Sequence, residues 1–211
     1  MRLLNTSTLE LHEFIGNDIP DYAILSHRWE KEEVTLQDLK PGRGAQMAGY
    51  SKILNCCKQA ASEGWEYAWI DSCCIDKTSS AKVSEAINSM FKWCQNAQVC
   101  YVYLCDVESR DRDHHVEGSS FWRSKRYTRG WTLQELLAPS NLIFYNHGWQ
   151  EIGTKSTLGK AVKLITGITS FDYFENESVA KKMSWAAQRE TTRTEDLAYC
   201  LMGIVRADIQ P

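Results

Sequence analysis

Four short, mostly apolar runs punctuate the chain: Tyr22–Ser26, Tyr67–Ile70, Val99–Leu104 and Asn141–Tyr145. Runs of this kind, without polar alternation, read as strands buried on both faces of a sheet. The stretches between them carry apolar residues at helical spacing. Ile53, Leu54, Cys57, Ala60 and Ala61 form one stripe in Tyr50–Gly64; Val83, Ala86, Ile87, Met90, Cys94 and Ala97 form another in Ala81–Ala97. A short helix over Trp131–Ala138 is stopped by Pro139. Alternating strands and helices predict an α/β fold, a mostly parallel sheet with helices on both faces and right-handed crossovers. The N-terminal 1–21 reads as a short strand around Leu9 and Leu11 and a turn closing at Pro20, and Pro41-Gly42 as a further break. Glu108–Gly118, with Arg110, Asp111, Arg112 and Asp113, reads as a solvated loop. Helical patterns at Leu158–Ile165, Val179–Gln188 and Glu195–Met202 predict a helical extension over 156–211, packed on a domain of residues 1–155.

Several function classes drop out. Lys+Arg 24 against Asp+Glu 27 gives a net charge of −3, which argues against nucleic acid as a partner. The longest apolar run, Val99–Cys105, is far short of the ~20 residues a bilayer needs. Only Leu3 and Leu4 follow Arg2 before polar residues begin, so no signal-peptide core is expected, and a cytoplasmic protein is. The eight cysteines lack metal-ligand spacing, since Cys56-Cys57 and Cys73-Cys74 are adjacent pairs, so buried reduced thiols and no metal are expected. Gly-x-Gly-x-x-Gly, the phosphate-binding Gly-x4-Gly-Lys and the Gly-x-Ser-x-Gly elbow are all missing.

Ligands of open α/β sheets bind beyond the carboxyl ends of the strands. Ser26, His27, Arg28 and Trp29 stand there after the first strand, Asp71–Lys77 after the second and Asp106 after the third. Arg129-Gly130-Trp131 leads into the short helix. Trp131 and Glu135, four apart, share a face, while Leu133, Leu136 and Leu137 turn inward. A carboxylate beside an indole suits a cationic transition state. Glu85 lies off its helix's apolar stripe and reads as a solvated charge, and Asp196 and Arg193 read as groups seating the last helix.

The chain resembles the fungal heterokaryon incompatibility (HET) domain. The matching stretches are Tyr22-Ala-Ile-Leu-Ser-His-Arg-Trp29, Tyr67-Ala-Trp-Ile-Asp-Ser-Cys-Cys-Ile-Asp-Lys77, Ser84-Glu-Ala-Ile-Asn-Ser-Met90 and Thr128-Arg-Gly-Trp-Thr-Leu-Gln-Glu-Leu-Leu-Ala-Pro139, with Arg193–Gly203 beyond them. Two departures are Arg28, where the family more often has Thr, and Val205–Pro211, where related chains continue further. HET domains are in turn similar to TIR domains, which have a flavodoxin-like sheet. Some of these cleave NAD with a glutamate in a Trp-x3-Glu context on the helix after the third strand. The resemblance therefore implies a TIR-like fold and Glu135 as the catalytic carboxylate. It also implies Trp131, Arg129, Ser26, His27, Arg28, Asp71 and Asp76 as substrate-binding residues.

One carboxylate suffices for that chemistry. Nicotinamide leaves ribose as a neutral molecule, so the acid that an ordinary glycosidase uses is not needed. The resemblance thus implies an NAD hydrolase acting in fungal programmed cell death. NAD or a related nucleotide is its substrate rather than a cofactor. Self-association and an upstream recognition protein are expected partners. The competing expectations are a non-enzymatic, self-associating signalling module and a cysteine hydrolase using Cys73 or Cys74 with His27.

Overall fold

The computed structural model describes residues 1–16, 18–39, 43–110 and 113–205. The Pro41-Gly42 break, Asp111 and Arg112 of the charged loop, and the C-terminal 206–211 lie outside the described residues. Among those described, one sheet holds seven strands in the order β2-β1-β4-β3-β5-β6-β7. The strands are β1 (Arg2–Asn5), β2 (Leu11–Glu13), β3 (Tyr22–His27), β4 (Tyr67–Ile70), β5 (Val99–Tyr103), β6 (Leu142–Tyr145) and β7 (Glu151–Thr154). The four apolar runs are its centre: β4, β3, β5 and β6 pair in parallel, with Ala23 opposite Ala68 and Val99. All residues of β3, β4 and β5 are buried, as doubly covered strands require. The central order is flavodoxin-like, with β3 in the middle and the crossovers leaving it in opposite directions.

The helices are α1 (Tyr50–Ser62), the single turn α2 (Asp71–Cys74), α3 (Ser80–Asn96), α4 (Thr132–Leu137), α5 (Lys155–Thr166), α6 (Val179–Ala186) and α7 (Asp196–Val205). Right-handed crossovers put α1 on one face of the sheet and α3 and α4 on the other. Strand alternation then sorts the side chains. Tyr22 Oη donates to Trp93 O of α3 at 2.6 Å and Trp69 packs on Trp93 at 5.7 Å, so Tyr22, Ile24, Ser26 and Trp69 face α3 and α4. Ala23, Leu25, His27 and Tyr101 face α1. Beyond them α7 packs on α3, α4 and α6. Gly203 permits the first contact, because a Cβ there would lie 2.2 Å from Phe91 Cβ.

Both edges of the sheet differ from the sequence reading. The N-terminus forms a β1–β2 hairpin, with Leu3 opposite His12, and β1 runs antiparallel to β4. Leu9 is in the connecting turn with φ 59°, not in a strand. Asn5 Oδ1 builds that turn by accepting from Ser7 N (3.0 Å) and Thr8 N (2.9 Å). At the other edge β7 adds an antiparallel strand to β6. A second correction concerns α4. Its expected two-faced character fails, because all six residues from Thr132 to Leu137 are buried between the sheet, α3 and α7.

Candidate active site

Glu135 lies at the heart of the domain and is 4% exposed. Its helix starts where the backbone of 128–130 pairs with Glu190: Gly130 N donates to Glu190 O at 2.9 Å and Glu190 N to Thr128 O at 2.6 Å. Glycine is required there, since a Cβ at Gly130 would come within 2.5 Å of Thr191 Cγ2 and 3.0 Å of Cys200 Sγ. Thr132 Oγ1 then donates to Arg126 O at 2.7 Å and fastens the first turn.

Ser26, at the end of the central strand, donates its hydroxyl to Glu135 Oε2 in a very short hydrogen bond. Arg126, 1% exposed, donates to the same hydroxyl oxygen from Nε at 3.1 Å and Nη2 at 2.5 Å. Both lone pairs of Ser26 Oγ are thereby taken, so its one proton points at the carboxylate. Burial pushes the Glu135 carboxyl up to about 7, with the Asp71 charge adding to the rise. Arg126, the Ser26 hydrogen bond and Arg189 pull the other way. Arg189, 7% exposed, ties this cluster to the extension: Nη1 donates to Arg129 O (2.9 Å) and Thr132 Oγ1 (3.1 Å), and Nε to Trp185 O (3.1 Å).

His27 follows Ser26 in the strand and therefore points to the opposite face. There its Nε2 lies 3.5 Å from Asp71 Oδ1 and 3.9 Å from Glu33 Oε2. Burial lowers the imidazole pKa, although both carboxylates oppose that. Glu33 also accepts a very short hydrogen bond from Lys52 of α1, and both side chains are buried. Trp29 Nε1 donates to Asp71 Oδ2 at 2.8 Å, and Lys77 Nζ lies 3.1 Å from the centre of the Trp29 ring.

The expected site residues thus divide. Ser26 joins Glu135, and His27 joins Asp71 on the other face. Trp131 precedes α4, half-buried and packed on the core. Arg28 is half-buried beyond β3. Arg129 turns to the extension, with Nη2 donating to Thr192 Oγ1 at 3.3 Å. Asp76 closes a local turn, accepting from Thr78 Oγ1 (2.6 Å) and Gln37 Nε2 (3.1 Å). It lines a small cleft together with Glu85, whose carboxylate pairs with Lys82 at 3.1 Å.

Known proteins can be set beside this geometry. A family model described as heterokaryon incompatibility protein (HET) matches residues 22–122. The chain carries a HET domain. It is 45% identical over 195 residues to the vegetative incompatibility protein HET-E-1 of Podospora anserina, an alignment that covers 88% of this chain. The chain spans only 14% of that relative's length. No solved structure matches it.

Four residues of the HET domain's buried clusters carry no signal in the sequence: Arg126, Arg189, Glu33 and Lys52. Arg126 and Arg189 reach partners far along the chain, 100 residues between Arg126 and Ser26 and 60 between Arg189 and Arg129. The eight cysteines are free, and seven of them are buried. The Cys73 thiol is raised well above its ordinary range by a hydrogen bond with Cys74 and by burial, the reverse of an activated nucleophile. Among the described residues no group of three or more His, Cys, Asp or Glu is placed to hold a metal ion, and no helix is long and apolar enough to cross a membrane.

Proposed function

We propose that this HET domain cleaves the nicotinamide–ribose bond of NAD, with Glu135 as the catalytic carboxylate, in an incompatibility or cell-death response. The observation that carries the reading is the buried Arg126–Ser26–Glu135 relay at the carboxyl end of the central strand. Loss of neutral nicotinamide leaves an oxocarbenium-like ribose. A carboxylate held by a fixed donor in a water-poor site stabilises such a cation better than a solvated one does. Arg126 favours the ionised form of Glu135, and Ser26 fixes its orientation. Because Glu135 is 4% exposed, substrate meets it only when the surrounding loops part. Self-association of the domain is the step we assign to that opening. A TIR-like ancestry is part of the same reading.

The burial of Glu135 also favours a second reading, in which the relay is structural and the domain is a non-enzymatic, self-associating signalling module. One assay separates the two. Purified chain is incubated with NAD at low and high protein concentration, and free nicotinamide is read by chromatography. The enzymatic reading expects release that rises with concentration. It also expects Glu135→Gln to lower the rate about 10²–10³-fold, as loss of one preorganised charge-stabilising group does. Glu85→Gln, which removes a carboxylate away from the relay, is expected to leave release unchanged. No release by the parent chain, or full release by Glu135→Gln, overturns it.

A further inference from the structure

Apart from the Glu135 relay, a cleft of about 230 Å³ opens between the segment leading into α4 and the ends of α5 and α6. Trp122, Arg123, Tyr127, Trp185 and Arg189 contribute to its lining, and no aspartate or glutamate does. The protons of its serine and threonine hydroxyls are already committed. Ser124 Oγ donates to Asp106 Oδ1 (2.7 Å), Thr128 Oγ1 to Lys125 O (2.9 Å), Thr166 Oγ1 to Val162 O (2.6 Å) and Ser184 Oγ to Lys181 O (2.7 Å).

The buried polar atoms of the lining that lack a partner are of one kind. Trp122 Nε1, Tyr127 Oη, Trp185 Nε1 and Arg189 Nη2 are buried without a hydrogen-bond partner. Tyr127, Trp185 and Arg189 are 6%, 3% and 7% exposed. Indole and guanidinium nitrogens only donate, and the phenol is able to donate. Arg126 Nη1, nearby, is a further unpartnered donor. Buried groups of this kind are normally satisfied, so several together ask for a common acceptor. Charge says the same. Arg189 is held down to about 9, first by burial and then by the positive charge of Arg126, so its guanidinium is not fully neutralised by its surroundings.

We propose that this cleft binds a phosphate group, free or carried by a small aromatic ligand such as a mononucleotide, with Arg189, Tyr127 and Trp185 donating to its oxygens. A phosphate offers acceptor oxygens in several directions and negative charge, which the guanidinium geometry matches. The site is independent of NAD cleavage at Glu135. It is linked to that residue all the same, because the other terminal nitrogen of Arg189 holds Arg129 O and Thr132 Oγ1 at the start of α4.

The test is calorimetric titration of the full chain with inorganic phosphate and, separately, with adenosine monophosphate. Tyr127→Phe, Arg123→Gln and Glu135→Gln are run beside the parent, with melting temperatures for all four. Saturable binding of at least one probe, one per chain, is expected. Tyr127→Phe should weaken it about tenfold or more, the worth of one hydrogen bond to a charged group. Its melting temperature should be equal to the parent's or higher, because the hydroxyl removed has no partner in the protein. Arg123→Gln should weaken binding as well, and Glu135→Gln should retain it. Equal affinity for the two probes means the phosphate alone is read; tighter adenosine monophosphate means the indole and phenol rings take part. Absence of saturable binding by both probes, or binding unaltered in both Tyr127→Phe and Arg123→Gln, overturns the proposal. So does loss of binding in Glu135→Gln alone.

Discussion

Replacing Glu135 with Gln changes stability in a way that depends on pH, and the size follows from the burial of one carboxyl. The group titrates near 4.5 in the unfolded chain and near about 7 in the folded protein, chiefly because burial disfavours its charge. The folded state therefore binds the proton more tightly than the unfolded state does. Its contribution to stability is fully present below about 4.5 and is lost as pH rises through about 7. A gap of roughly 2.5 pH units is worth about 3 kcal/mol in all, and about 2.5 kcal/mol of it falls between pH 5 and 8.5. Gln has nearly the shape of the protonated acid and does not titrate, and Ser26 can donate to its amide oxygen. Other groups titrate equally in both proteins, so they cancel in the difference between the two melting curves. Near pH 5 the proteins should melt at similar temperatures; by pH 8.5 the Gln variant should melt about 5–10 °C higher, at ~2–4 °C per kcal/mol for a chain of this size. Thermal melts by circular dichroism across that range measure it. A difference that stays flat with pH, or grows toward acid, would refute the assignment of Glu135 as a buried, proton-binding carboxylate.

Lys52→Ala leaves the Glu33 carboxylate buried beside His27 without its partner and should cost about 3–5 kcal/mol in denaturant unfolding. The double replacement Lys52→Met with Glu33→Leu should recover most of that, since removing both charges leaves neither stranded. Gly203→Ala drives a methyl to 2.2 Å from Phe91 Cβ and should cost about 1–3 kcal/mol by overpacking the α3–α7 contact. That loss is read by the same unfolding curves.

The centre of the sheet was legible because strands covered on both faces need uninterrupted apolar sequence, and β3, β4, β5 and β6 have it. The edges were not. Arg2–Asn5 has only Leu3 and Leu4 to mark it, and Glu151–Thr154 is exposed or half-buried with Gly153 at its centre, so neither shows an apolar run. The burial of α4 was hidden for a different reason. Thr132, Gln134 and Glu135 look like a wet face, yet each finds a partner inside. Gln134 Nε2 donates to Tyr199 O (3.1 Å) and Cys200 O (2.9 Å) of α7, a helix more than sixty positions away in the chain. Hydrogen-bond satisfaction at such separation leaves no periodic trace in sequence. For the same reason nothing in the sequence marks Arg126 and Arg189 as buried.

Ser26 and His27 are the last two residues of the central strand, and reading them from their place at a strand end treats neighbours in sequence as neighbours in a pocket. The pleat forbids that. Ser26 points to α4 and meets Glu135, while His27, one residue on, points to the α1 side and meets Asp71 and Glu33. The two clusters communicate through charge: Asp71, 3.5 Å from His27, also helps raise the Glu135 carboxyl. A ligand that touches both must therefore cross the carboxyl end of β3 instead of lying on either face. It would pass the point where Trp29 Nε1 is held by Asp71 Oδ2 at 2.8 Å. Trp29 is 37% exposed and fixed by that bond, so its ring is the accessible aromatic surface at the crossing. A positive centre forming near Glu135 would be favoured by Asp71 as well, at the same strand end. On the proposed reading, the burial that keeps Glu135 reluctant to ionise would also favour a cationic intermediate at this strand end.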